Sequence, residues 1–152
     1  MMTSTDMIQI NEVQLESDPN RGNMVILREH QEADRYFVMF IGDAEFTAIA
    51  KEKGLIQPPR PLTHELYLSI MEKLNTEFLR VEIYDIRNDT FYANVYLKTD
   101  GVEHSVDSRP SDAVALALNR RIPILVRHDL FRRKLTEEQV KEYQDVVKTV
   151  KF

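Results

Sequence analysis

Asp107, Arg109 and Asp112 fall within six residues of one another in "DSRPSD", and Arg60 and His64 fall within five in "PPRPLTH". These are side chains suited to phosphoryl chemistry. A guanidinium offers forked N–H donors to phosphate oxygens, an imidazole moves protons near neutral pH, and paired carboxylates hold a hard cation such as Mg²⁺ or orient a water. Each also has a plainer reading. Asp112 suits the positive start of a helix, Arg109 can pair with Asp112 or with Glu45, Asp107 can form a turn, Arg60 can pair with a carboxylate, and His64 can simply be hydrogen-bonded.

The elements around these residues must decide between the two. Pro58, Pro59 and Pro61 have fixed φ and lack amide hydrogens, so residues 56–62 form a stiff extended arm. Thr63 then suits an N-cap, and Leu66, Ile70, Met71 and Leu74 give an apolar face to a helix over 64–75, with His64 in its first turn. In "DSRPSDAVALALNR", Ser111 can cap a helix that is apolar nearly all round and therefore buried, followed by a short strand at "ILV". Asp107, Arg109 and Asp112 thus stand at a strand-to-helix junction, and Asp43 and Glu45 at the start of an earlier helix in "AEFTAIAKEKG".

Strict alternation gives the clearest structure. Leu79, Val81 and Ile83, then Phe91, Ala93, Val95 and Leu97, then Val102, His104 and Val106 define an antiparallel meander with turns at "RND" and "TDG". Its other face carries Tyr84, Tyr92 and Tyr96, better suited to half-buried packing or a subunit contact than to stacking on nucleotide bases. Residues 7–16 read as one strand, "MVILREH" and "RYFVMFIG" as a hairpin, "HDLFRRK" as one or two helical turns, and 135–152 as an amphipathic helix with Val140, Tyr143, Val147 and Val150 in its stripe. The fold class is α+β: a mixed, largely antiparallel sheet, built from an N-terminal hairpin plus the meander and packed with about four helices in a single domain.

Composition narrows the chemistry. With 152 residues there is length for one core, and with no cysteine there are no disulfides, thiolate metal sites or cysteine nucleophiles. No apolar run approaches the length of a membrane span and the N-terminus lacks signal-peptide features, so a cytoplasmic protein is expected. The net charge is −5, yet residues 109–134 carry seven basic against two acidic side chains, a net of +5, so the remainder carries −10. That segment could form one phosphate-attracting face, or its arginines could be solvated on separate faces. Glycine-rich phosphate loops, G-x-S-x-G and H-E-x-x-H are all absent.

"IGDAEFTAIA", "PPRPLTHEL", "TFYA" and "DSRPSDAVALAL", in this order and spacing, resemble the bifunctional nuclease domain family over about residues 7 to 130. Ser108, Phe46 and the "RND" turn depart from the family's usual residues. The resemblance implies a domain over 1–134 followed by the helix of 135–152, commonly dimeric, with RNase and DNase activity assigned to plant members. Carried to this chain, it implies a nuclease acting on DNA and RNA. His64, Asp112 and Glu45 would be catalytic, Arg60 and Arg109 would bind substrate phosphates, and Asp107 and Asp112 would hold a divalent cation, Mg²⁺ or Mn²⁺. The expected partners are nucleic acid and a second copy of the chain, without a membrane. The rival expectation is a non-enzymatic oligomeric interaction or ligand-sensing module, in which the same arginine and acids form a structural lock.

Overall fold

Alternating apolar residues fold as the meander they encode. In the computed structural model, which describes residues 6–133, β5 (Glu77–Arg87), β6 (Thr90–Thr99) and β7 (Val102–Ser108) pair antiparallel in sequence. Both connections are two-residue turns, Asn88-Asp89 with φ of 50° and 61° and Asp100-Gly101 with φ of 48° and 76°. Positive φ at both central residues is what a type I′ hairpin turn requires, and Asn, Asp and Gly tolerate it best. The helix α3 (Pro110–Arg120) then crosses back over β6 and β5 and delivers β8 (Ile124–Arg127) parallel to β5. With β1 (Met7–Gln9) beside β8, the sheet has the order β1-β8-β5-β6-β7.

The N-terminal hairpin forms a second, antiparallel sheet of β2 (Glu12–Asp18), β3 (Gly22–Arg28), β4 (Arg35–Ile41) and the short β9 (Arg132–Arg133). One strand over 7–16 was expected; the chain instead changes sheets within it. The Ile10 amide donates to the Ile124 carbonyl at 2.8 Å, and the next amide, Asn11, donates to the Arg28 carbonyl at 3.0 Å. The slip in alternation between Ile10 and Val13 marks that change of partner.

Three α-helices stand among the described residues, where about four were expected: α1 (Asp43–Glu52), α2 (Thr63–Lys73) and α3. The expected helix of 135–152 lies outside the described residues. "HDLFRRK" yields a 3-10 turn (His128–Leu130) and β9, because Arg132 and Arg133 pair with the β4 edge. Val25, Leu27 and Phe37 from the hairpin sheet, Val81, Ile83 and Val126 from the five-stranded sheet, and Ile49 and Val114 from α1 and α3 share one core. Phe37 and Phe91 meet edge to face at 4.7 Å across it. On the face away from α3, Arg80 lies 4.0 Å over the Tyr96 ring and Arg87 4.6 Å over Tyr92, so two of the three sheet tyrosines are packed beneath arginines.

Two helix starts differ from expectation. Leu62, not Thr63, is the extended residue before α2, and the Glu65 carboxylate accepts its amide at 3.0 Å. Arg109, not Ser111, precedes α3, and Pro110 fills the first helical position, where a missing amide hydrogen has no consequence. The apolar face of α2 is also turned around. His64 and Leu68 point inward, while Leu66, Ile70 and Leu74 are 58%, 51% and 67% exposed.

At the other end of α3, Arg121 closes the helix in the left-handed region, φ 55° and ψ 46°, where a Cβ is unfavourable. Arg121→Gly is therefore expected to raise unfolding free energy by about 0.5–1 kcal/mol, read from the urea midpoint at unchanged m-value.

Candidate active site

Because α1 and α3 pack side by side with their N-termini together, the first turns of both helices share one polar surface. Arg109 bridges them. Its Nε donates to Asp112 Oδ2 at 2.7 Å, its Nη2 to Asp112 Oδ1 at 3.1 Å, and its Nη1 to Glu45 Oε1 at 2.7 Å. A guanidinium has five N–H groups. Three are engaged here, and the side chain remains 63% exposed. The two carboxylates hold the Arg109 proton more tightly than usual, Asp112 foremost. Glu45 lies below the ordinary glutamate range, first because its own backbone amide donates to it and then because Arg109 does.

Gly42 makes room for this arrangement. Its backbone is ordinary for any residue, φ −76° and ψ 174°, but a Cβ there would stand 2.6 Å from Glu45 Oε2. Gly42→Ala is expected to push the Glu45 carboxylate off Arg109, so that Glu45 titrates closer to its ordinary value in a carboxyl NMR titration.

Tyr67, on α2, is 37% exposed. Partial burial of its phenol raises its pKa, and the charge of Asp112 raises it further. Neither Gly42 nor Tyr67 was singled out by spacing; Tyr67, at i+3 from His64, carried only the faint signal of sharing its helix face.

His64 belongs to a second cluster. It is 6% exposed, and its Nε2 lies 2.6 Å from Glu52 Oε2. Asn119 Nδ2 donates to the same oxygen at 2.8 Å, and Lys51 Nζ lies 3.4 Å from Glu52 Oε1 and 2.9 Å from Glu65 Oε2. Burial pushes the Glu52 carboxyl up, but the hydrogen bonds from Asn119 and His64 and the Lys51 charge outweigh it and leave it lowered. An ionised Glu52 can only accept, so the Nε2 of His64 carries a proton. Glu52 is seven residues beyond Glu45 on α1, and Asn119 seven beyond Asp112 on α3. Two turns separate the clusters by about 10 Å along the helices. Glu45, Arg109 and Asp112 are thus brought together, and His64 is held apart from them with Glu52.

Arg60 is exposed on the proline arm and has no ion pair among the described residues. Asp107 is exposed too. In register, Val106 sits opposite buried Val95 and Asp107 opposite Asn94, so Asp107 points away from the helix face that carries Asp112. The two expected cation ligands therefore do not meet, and among the described residues no three His, Asp or Glu side chains gather as a metal site. Glu45 and Asp112 already embrace a guanidinium. The residues present do not fit a divalent ion held by Asp107 and Asp112.

The basic run is likewise dispersed. Arg109 meets Glu45 and Asp112, Arg120 meets Glu72 and the Leu68 carbonyl, and Arg127 meets Asp85 and Asp129. Among the described residues no helix is long and apolar enough to cross a membrane.

A family model described as the bifunctional nuclease domain matches residues 25–139. An uncharacterized protein of Mycobacterium tuberculosis is 39% identical over 108 residues, covering 71% of this chain and 63% of that protein. Bifunctional nuclease 1 of Oryza sativa subsp. japonica is 31% identical over 74 residues, covering 47% of this chain and 22% of that protein. A bifunctional nuclease of Oryza minuta matches over the same shares. The chain therefore spans less than two thirds of the length of these relatives.

Proposed function

Since the chain belongs to the bifunctional nuclease domain family, we propose that it hydrolyses phosphodiester bonds in DNA and RNA at the joined N-termini of α1 and α3. The observation that carries this reading is Arg109, exposed between two helix starts with three of its N–H groups used and two left over. Helix-terminal amides and a fixed guanidinium favour a phosphate, and stabilise it more as charge builds on its oxygens in the transition state. Glu45 and Asp112 hold the guanidinium plane and accept hydrogen bonds from an attacking water or hydroxyl. Tyr67, kept protonated, is a donor to the leaving oxygen. Arg60, unpaired on its stiff arm, extends phosphate binding along the strand.

His64 takes a positioning role in this reading, tying α2 to α1 and α3 through Glu52. No step runs through a metal ion. The reading is tested by incubating the purified chain with single-stranded DNA and with RNA, each with and without EDTA. Cleavage of both substrates is expected, and no cleavage under any of the four conditions overturns it.

One observation favours the non-enzymatic reading. Arg109 lies between two carboxylates, so the cluster has a surplus negative charge that a phosphate must approach. Under that reading the arginine is an exposed lock between α1 and α3, and its removal has no catalytic consequence.

A further inference from the structure

Resting on the phosphodiester reading above, we infer that Tyr67 is a stacking platform for an unpaired nucleobase beside the phosphate at Arg109, so that the substrate is a single strand. Tyr67 is the one exposed aromatic side chain among the described residues, at 37%. Tyr36, Tyr92 and Tyr96 lie beneath arginines, and Phe37 and Phe91 meet each other. Tyr67 has no ring or cation partner among the described residues. Burial acts on its hydroxyl end, so the exposed part of the side chain includes its ring. Ile70, at i+3 on the same helix and 51% exposed, extends that apolar surface.

A base is the occupant because of what stands beside the ring. Asp112 is close enough for its charge to act on the phenol, and Asp112 in turn holds the Arg109 guanidinium. A phosphate on the two spare N–H groups of Arg109 therefore leaves the base of its own nucleoside next to Tyr67. Every base has a flat π face that an aromatic side chain can cover, which suits a site that reads no sequence. Charge alone is a weak hold here, because Glu45 and Asp112 outnumber the guanidinium. A neutral ring adds affinity that those carboxylates do not oppose. In a duplex the base faces already lie on one another, so a base reaches Tyr67 only after unpairing and unstacking. The exposed ring thus selects single strands, of DNA and of RNA alike.

Two substitutions in the full chain separate the ring from its hydroxyl. Tyr67→Phe and Tyr67→Leu both lose the hydroxyl, and only the first keeps the ring. At this exposed position both are expected to retain the parent's circular dichroism. With a single-stranded oligodeoxynucleotide, Tyr67→Phe is expected to keep the parent's KM, while Tyr67→Leu raises it about 10-fold. Loss of the hydroxyl lowers kcat in both. Binding is read without cleavage, by fluorescence anisotropy of a labelled, phosphorothioate-linked single strand. There Tyr67→Leu should weaken binding about 10-fold at low and at high salt alike, since no phosphate contact is lost. A strand of stable abasic (tetrahydrofuran) units should bind the parent and Tyr67→Leu equally and weakly, and a duplex of the same sequence should bind the parent more weakly than its single strand does. A parent that binds the strand through Tyr67 without cleaving it would overturn the nuclease reading and leave the platform standing. Equal KM in Tyr67→Phe and Tyr67→Leu, an abasic strand bound by the parent as tightly as the intact one, or a parent that binds no single strand would each overturn the platform.

Discussion

Arg109→Lys is expected to reduce cleavage of single-stranded DNA and RNA by about 10²–10³-fold while the thermal midpoint barely moves. Lysine keeps the positive charge but loses the fork that reaches Glu45 and both oxygens of Asp112 at once. It also loses the two spare N–H groups that face solvent. The small stability effect follows from exposure. Arg109 and Asp112 are 63% and 46% exposed, so water screens their pair and its contribution is at most about 1 kcal/mol. Asp112→Asn keeps the volume, removes the charge, and should behave in the same way. A buried lock would have cost several kcal/mol on losing its acid, but here the lock is on the surface, so stability and activity report separate things. Parent and variants are purified in parallel, because a contaminating nuclease would cleave equally in all three. Equal rates in all three would sink the nuclease reading.

The Arg109 cluster was half legible in the sequence, and the reason is distance along the chain. Arg109 and Asp112 are three residues apart at a helix start, a spacing that brings side chains together whatever the tertiary fold. Glu45, 64 residues away, could be named as a partner only as one of several acids. The meander and its turns were legible because period-two alternation and Asn-Asp and Asp-Gly pairs act locally. Helix α2 was not. Its pattern offers an apolar row at 66, 70 and 74 and a mixed row at 64 and 68, and periodicity alone sends the more apolar row inward. The opposite occurs because His64 finds Glu52, and through it Asn119, 67 residues from that acid. A buried polar side chain needs its partners before it can be inside, and those partners carry no mark of their role in local sequence. The nearest thing to a mark is that Glu45 and Glu52 share one face of α1, two turns apart.

That buried cluster sets the largest expected effect on stability. Glu52→Ala removes the acceptor shared by His64 and Asn119 and leaves the imidazole N–H of a side chain 7% exposed and the amide of half-buried Asn119 without that partner. Stranding buried donors and opening a small cavity costs about 3 kcal/mol, or roughly 6–12 °C in the thermal midpoint for a chain of this size. His64→Ala is expected to lose less, since Glu52 keeps the Asn119 hydrogen bond and the Lys51 ion pair and the loss is that of one hydrogen bond and the buried ring. The pH dependence has a definite sign. Glu52, Glu65 and Glu45 all titrate below the ordinary glutamate value of 4.5 in the folded chain. Each binds its proton less readily when folded, so its contribution is fully present above 4.5 and is lost as pH falls through the lowered folded value. The parent should therefore lose stability steeply on acidification below 4.5. Glu52→Gln, measured by urea unfolding across that range, should start lower at neutral pH and fall less steeply. An unchanged midpoint in Glu52→Ala at neutral pH would show that the three helices are held by their apolar contacts alone, and that the His64 cluster does not set how α2 sits against α1 and α3.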